Sequence, residues 1–92
     1  MALETTVFIF KISVPFEKWV QGFDSPEAVK MHEKAGMQTL FRGVSKDDPQ
    51  SVIVIHQSEE GVARAMFDGA KEMIEASGHI YDSTVITSYF AS

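Results

Sequence analysis

The sequence predicts an α+β domain in which a four-stranded antiparallel sheet carries two helices on one face. Three observations support this class: runs of β-branched and aromatic residues, stretches with helical periodicity between them, and turn residues at their junctions. The chain has 92 residues, which is too short for two independent cores. We therefore expect residues 1–92 to form a single domain.

Proline and glycine delimit the elements of the first half. Residues 5–14 (TTVFIFKISV) predict a strand, which Pro15 ends because proline cannot donate to a central ladder. A helical region follows, and Ser25 with Pro26 predicts a fresh helix start within it. Gly36 suits the left-handed residue that ends a helix. The apolar stripe of this region has helical spacing: Phe16, Trp19, Val20, Phe23, Ala28, Met31, His32 and Ala35.

The second half repeats this alternation of strand and helix. Residues 37–46 and 51–57 predict two strands, joined by a turn at residues 47–50 (DDPQ). Ser58 is expected to cap the second main helix, because a serine followed by two glutamates is typical of a helix start. Gly78 is expected to end this helix.

Residues 79–90 (HIYDSTVITSYF) predict the last strand and complete the order β-α-β-β-α-β. This is the ferredoxin-like arrangement, and we expect its first and third strands to be central. Both are apolar on both faces; Val7 and Ile9, for example, point away from Phe8 and Phe10. Two helices cover one face only, which leaves an apolar patch of roughly several hundred Å² on the other. We expect a second copy of the chain to cover it, sheet against sheet, in a twofold homodimer.

Composition excludes several classes of protein. Thirteen acidic and eight basic residues give a net charge of −5, which disfavours nucleic acid and anionic membranes as partners because both attract basic surfaces. The chain has no cysteine, so disulfides and thiolate metal sites are excluded. The N-terminal sequence lacks a signal-peptide pattern, and no apolar run approaches the ~20 residues that span a bilayer. We expect a soluble, cytoplasmic protein.

Metal and cofactor chemistry is not indicated by the sequence. His32, His56 and His79 lack the local spacing of metal ligands, and no nearby carboxylate completes a ligand motif. Nucleotide-binding glycine loops and hydrolase motifs do not occur. We therefore expect no cofactor and no metal site.

Two segments resemble a known family. Residues 41–50 (FRGVSKDDPQ), followed by residues 52–57 (VIVIHQ), are similar to the core of a small uncharacterised family of cyanobacterial proteins, a domain of unknown function. Residues 5–8 and the helix containing Trp19 are similar too, so the resemblance covers most of the chain. It implies a dimeric α+β barrel, in which two ferredoxin-like subunits place their sheets face to face. The same fold group includes monooxygenases and haem-degrading enzymes, but the family carries no established catalytic residues.

The sharpest candidate for ligand binding is Arg42 with His56. A hairpin with Ser45 opposite Ser51 would pair Leu40 with His56 and make Arg42 a diagonal neighbour of His56. A guanidinium beside an imidazole could bind a carboxylate or an enolate. The alternative is structural: Arg42 reaches an acid across the dimer interface, and His56 hydrogen-bonds to the backbone.

Three further residues have two interpretations each. His32 lies in the helical stripe, where it either faces the space between helix and sheet as a base or ligand, or is a partly buried, hydrogen-bonded core residue. Trp19 either packs in the core or walls an apolar ligand pocket. His79 follows a helix C-terminus, which stabilises a cationic imidazole, so capping is expected rather than catalysis.

Three functions stay open at this point. The first is a homodimeric small-molecule-binding or sensing domain with an apolar pocket. The second is a cofactor-independent monooxygenase- or cyclase-like enzyme for an aromatic or polyketide-like substrate, using Arg42 with His56 or His32. The third is a structural or regulatory dimer without a ligand. A pocket of at least ~300 Å³ favours the first two, and a strongly perturbed histidine inside it favours the second.

Overall fold

The computed structural model describes residues 3–91, and their fold is the predicted four-stranded antiparallel sheet with helices. The strand order is β2-β3-β1-β4, so the first and third strands are central as predicted. Pro15 and Gly36 lie at element boundaries as expected, and Gly36 has a φ of 73°. The elements are β1 (Leu3–Ile12), α1 (Phe16–Phe23), α2 (Pro26–Lys34), β2 (Gln38–Val44), β3 (Ser51–Glu59), α3 (Val62–Gly69), α4 (Lys71–Ala76) and β4 (His79–Phe90).

Each of the two helical regions is a pair of helices within the described residues. The first division is the one that Ser25 and Pro26 predict, whereas the second region differs from the single helix expected. In the first pair, Ser25 caps α2 as predicted, because its Oγ accepts a hydrogen bond from the Ala28 N–H at 3.2 Å. In the second pair, Ala70 leaves the helical conformation with φ −111° and ψ 25°, which separates α3 from α4.

The predicted cap at Ser58 is wrong. Leu3 and Glu4 of β1 pair with Glu59 and Ser58, so β3 runs two residues further than expected. The helix begins only after Gly61, whose φ of 82° turns the chain. The Glu4 carboxylate accepts the Gly61 N–H at 3.1 Å, which stabilises this turn. Pairing with β1 therefore keeps Ser58 and Glu59 in the strand, although their sequence is typical of a helix start.

The core lies between the helices and one face of the sheet, which we call the helix face. Alternate strand residues point to it, and the side chains of Ile12 and Val52 have 1% exposure or less. Thr6, His56 and Ser58 place polar groups on the same face. Within residues 3–91, no fully buried side-chain nitrogen or oxygen lacks a hydrogen-bond partner. The core cluster consists of Phe8, Phe10, Ile12, Trp19, Met37, Val52, Val54, Ala63 and Phe67.

The opposite side of the sheet, which we call the open face, is apolar and exposed. Ile9 and Val85 are paired across β1 and β4 and are 45% and 60% exposed. Phe41 on β2 is 54% exposed, and its ring lies over Gly43. This confirms that the central strands are apolar on both sides. By register, the open face carries Val7, Ile9, Phe41, Ile53, Ile55, Val85 and Tyr89.

Candidate functional site

A cavity of about 260 Å³ lies between the four helices and the helix face. It is slightly smaller than the ~300 Å³ taken as the lower bound for a ligand pocket. An apolar cavity of about 150 Å³ is nevertheless enough to bind benzene in another protein. The gap exists because short side chains face it from the helices, and the residues that leave this space are Gly22, Ala28, Ala63 and Ala70.

Seven rings form a closed circuit around this cavity, and we call it the aromatic collar. Neighbouring ring centroids lie between 3.6 and 6.0 Å apart all the way round. The helices supply three of the rings and the sheet supplies four, so the collar connects the two layers. Its members, in order, are Trp19, Phe23, His56, Phe8, Phe67, His79 and Phe10.

His56 stands on central strand β3 and is 5% exposed. Its Nδ1 lies 3.1 Å from the hydroxyl of Thr39 on β2. Burial, with a smaller repulsion from His32, lowers the pKa of His56 to about 4. The imidazole is therefore neutral near pH 7 and offers one donor and one acceptor nitrogen.

His32 faces the same cavity from α2. Its ring centroid lies 5.0 Å from that of His56 and 5.1 Å from that of Phe23. The residue is half-buried, and desolvation lowers its pKa. It therefore lines the space between helix and sheet and meets His56 there.

His79 corrects the expectation of a cationic helix cap. It pairs with Ile12 across β1 and β4, and Ile12 points into the core, so His79 does too. Its ring stacks on Phe10 with centroids 3.6 Å apart and planes 4° from parallel. Burial lowers its pKa to about 4, because desolvation disfavours the charged imidazole.

An irregularity in β4 supplies the hydrogen-bond partner of His79. The pairing of β1 with β4 shifts between Ile9 and Lys11, and the Lys11 N–H donates to the Ser83 hydroxyl at 2.8 Å. The bulged chain brings Thr84 Oγ1 to 2.7 Å from His79 Nε2. In a regular strand, residues five apart would be roughly 16 Å apart. The bulge therefore positions a second residue for the site.

Arg42 lies outside the cavity. A second register shift, between Thr39 and Phe41, pairs His56 with Thr39, so the predicted pairing of His56 with Leu40 is wrong. Arg42 forms an ion pair with Asp24 of the same chain and lies over the Phe23 ring at 5.8 Å. The Phe23 ring thus separates Arg42 from His56 and leaves the cavity without a guanidinium.

Three of the four residues singled out for ligand binding, Trp19, His32 and His56, line one cavity, and Arg42 covers its wall from outside. Trp19 is 3% exposed and belongs to both core and cavity wall. Sequence reasoning missed His79 as a cavity residue. His79 pairs with Ile12, which faces the helices, so a known register of β1 with β4 would have predicted that His79 faces the cavity.

The chemistry available in the cavity is apolar contact and neutral hydrogen bonding. Among residues 3–91, no group of three or more His, Asp or Glu side chains is placed to hold a metal ion. Four methionines that line the cavity add flexible, polarisable surface: Met31, Met37, Met66 and Met73.

Comparison with known proteins places the chain in a family. The family described as a domain of unknown function, DUF3764, matches residues 3–91. The chain belongs to this family. No curated protein matches it. A crystal structure described as a dimeric ferredoxin-like protein from an uncultured marine organism is 9% identical, with a TM-score of 0.50, over 98% of this chain and 86% of that one.

That likeness confirms the ferredoxin-like fold, and the family match confirms the resemblance to a domain of unknown function. The match spans the whole described part of this DUF3764 member, including the aromatic collar. No helix within residues 3–91 is long and apolar enough to cross a membrane.

Proposed function

We propose that this protein is a homodimeric domain that binds a small apolar or aromatic molecule in the cavity between helices and sheet. The observation that carries the proposal is the cavity of about 260 Å³ with its closed aromatic collar. Trp19, His32 and His56 are the proposed ligand contacts. Arg42 contacts the cavity residue Phe23 from outside and forms an ion pair with Asp24, and we propose that it stabilises the cavity wall.

The homodimer rests on the open face. Exposed apolar side chains on three of the four strands form a patch of the kind that marks an interaction surface. The similar solved structure is described as dimeric, which supports a homodimer here, and the apolar open face is the surface that we propose for it. A twofold axis would bring the same patch from each subunit together and remove it from water.

Titration with ethylbenzene tests ligand binding, because this probe is apolar and can use only the cavity's apolar surface. Trp19 is the single tryptophan of the chain, so its indole N–H gives one assignable NMR signal at the cavity wall. We expect saturable shifts of this signal and a higher Tm with the probe. An unmoved signal and an unmoved Tm would overturn the proposal.

Two alanines provide a matched pair of variants. Ala28 lines the cavity, whereas Ala65 is exposed on α3 and does not. We expect Ala28→Leu to fill part of the space and abolish the ethylbenzene response, and Ala65→Leu to retain it. Equal loss in both variants would point to a general disturbance rather than to filling of the site.

A cofactor-independent enzyme for an aromatic or polyketide-like substrate is the second candidate. Two cavity histidines of strongly lowered pKa favour it. However, a general base works best with a pKa near the working pH, and both values are about 4. Native mass spectrometry of protein purified from its own host would favour this candidate if substrate and product masses both accompany the dimer.

Three finer predictions stay proposals: the cyanobacterial origin of the family, a cytoplasmic location, and a single domain over residues 1–92. Cell fractionation with an antibody to the protein tests the location, and a soluble cytoplasmic pool is expected. Limited proteolysis tests the domain, because one compact unit yields a single resistant core. Two resistant fragments of comparable size would contradict it.

A further inference from the structure

The hydrogen bonds around His79 fix which of its ring nitrogens carries the proton. The Thr84 hydroxyl lies 2.7 Å from the Tyr81 carbonyl oxygen, which can only accept a hydrogen bond. Thr84 therefore donates its one proton to Tyr81. The remaining contact, 2.7 Å from Thr84 Oγ1 to His79 Nε2, must then be donated by an Nε2–H. Because the imidazole is neutral, the lone pair lies on Nδ1.

This lone pair is available to a ligand. No hydrogen bond to His79 Nδ1 forms within residues 3–91, and none of the fully enclosed polar side-chain atoms there lacks a partner. Nδ1 is therefore not sealed in the core. His79 is among the residues that line the cavity, and its ring stacks on Phe10. A small molecule bound in the cavity therefore lies beside this imidazole.

The cavity offers nothing that would hold an anion. No Lys or Arg side chain among the described residues lines it, and Arg42 is engaged by Asp24 outside. Glu27, at the N-terminal turn of α2, is the acidic residue among the lining side chains and repels carboxylates further. Moving a carboxylate into such a place without a cationic partner carries a large desolvation cost.

We infer that the ligand is a neutral aromatic molecule with one hydroxyl or N–H donor, which hydrogen-bonds to Nδ1 of His79 while its ring packs inside the aromatic collar. This inference rests on the proposed ligand-binding function and names the class of ligand. A volume of about 260 Å³ admits one substituted ring, since about 150 Å³ suffices for benzene. Phenols with a short alkyl chain and indoles have the required size and donor.

A series of three probes of similar size tests the donor. These are 4-ethylphenol, its methyl ether 4-ethylanisole, and 4-ethylbenzoate, titrated at pH 7.5, roughly one unit above the usual histidine pKa, with the Trp19 indole signal as readout. We expect 4-ethylphenol to bind roughly 3- to 10-fold more tightly than the ether, as one net hydrogen bond gives. The benzoate should not bind measurably. Equal affinity of phenol and ether, or tight binding of the benzoate, would overturn the inference.

Two histidine variants locate the acceptor. His79→Phe keeps a ring to stack on Phe10 but removes Nδ1, so the phenol-to-ether ratio should fall to about one. His32→Phe removes another cavity imidazole and should keep the preference. If the preference survives in His79→Phe and is lost in His56→Phe, the acceptor is His56 and the assignment to His79 is wrong.

Failure of this inference and failure of the proposed function give different results. If ethylbenzene binds but the phenol has no advantage over the ether, the cavity is a ligand site without the donor preference. If none of the probes shifts the Trp19 signal, the proposed function itself fails. Thr84→Val tests the assignment further, because it removes the hydrogen-bond acceptor that keeps the proton on Nε2 of His79. The proton can then move to Nδ1, so the preference for the phenol should fall while ethylbenzene binding remains.

Discussion

The two faces of the same sheet are made from alternate residues of the same strands, yet they differ in chemistry. On the helix face, apolar side chains are mixed with Thr6, His56 and Ser58, which are all less than 9% exposed. On the open face, apolar side chains such as Ile9 and Val85 remain 45% and 60% exposed. A polar group can be buried on the helix face because partners are built beside it. The open face carries exposed apolar side chains from its centre to its edge strands, as surfaces that bind another protein do.

The largest expected effect is a lower free energy of unfolding in acid, caused by the buried histidines His56 and His79 of the helix face. Unfolded histidine titrates near 6.5, whereas folded His56 and His79 have pKa values of about 4, so the unfolded chain binds more protons between these values. The free energy of unfolding should be constant above pH 6.5 and fall as the pH drops toward 4. The loss is on the order of 3 kcal/mol for each of the two histidines.

Urea denaturation at a series of pH values measures this loss. The double variant His56→Gln with His79→Phe cannot charge at these positions and should show a much flatter profile between pH 4 and 6.5. The pKa of Asp48 is lowered from 3.8 chiefly by its hydrogen bond with Lys11, so this carboxylate titrates below the same window. A profile equally steep in the double variant would show that other groups govern acid unfolding.

The next largest effect is expected from a substitution that disrupts the dimer interface proposed on the open face. Ile9→Glu places a carboxylate at the centre of the proposed interface, once from each subunit. We expect the dimer dissociation constant to rise by roughly 100-fold or more, because two charges would be desolvated without partners. Light scattering after size-exclusion chromatography measures the mass. Val29→Glu is the matched control, since Val29 on α2 is 39% exposed and lies off the open face. Dissociation by both variants, or by neither, would contradict the sheet-to-sheet dimer.

A smaller effect is expected where β4 begins at the edge of the helix face. Gly78 has a φ of 94°, and a Cβ there would lie 2.6 Å from a methyl carbon of Val14. Gly78→Ala should therefore destabilise the fold by roughly 1–3 kcal/mol. Gly69→Ala is the control: its Cβ meets nothing within 4 Å, so stability should rise by about 0.4–1 kcal/mol. Thermal unfolding distinguishes them, and equal changes of Tm would refute the steric explanation.

The smallest effect concerns Arg42. Its ion pair with Asp24 is partly exposed, with side-chain exposures of 37% and 46%. Arg42→Ala should cost about 0.2–1 kcal/mol and leave the dimer intact. Arg42→Lys keeps the charge but loses the planar contact with Phe23, so it should recover only part of the loss. A much larger loss of stability, or dissociation of the dimer in Arg42→Ala, would contradict this exposed position within one subunit.

The candidate site was only partly predictable from the sequence. Helical spacing placed Trp19 and His32 on the buried side of their helices, and strand alternation placed Phe8 and Phe10 toward the core. The partners of the histidines could not be predicted, because register shifts in β2 and β4 bring Thr39 and Thr84 to His56 and His79. A shift of one residue changes which side chains meet, and local sequence carries little information about it.

The sequence by itself determined the order of elements, the central position of β1 and β3, and the apolar character of both sheet faces, because periodicity and turn residues are local properties. The tertiary structure decided the breaks in the helices, the bulges, the cavity and the neutral state of its histidines. These depend on contacts between residues far apart in the chain, such as Glu4 with Gly61 and Ile12 with His79. Burial, and with it the pKa of an imidazole, exists only once those contacts have formed.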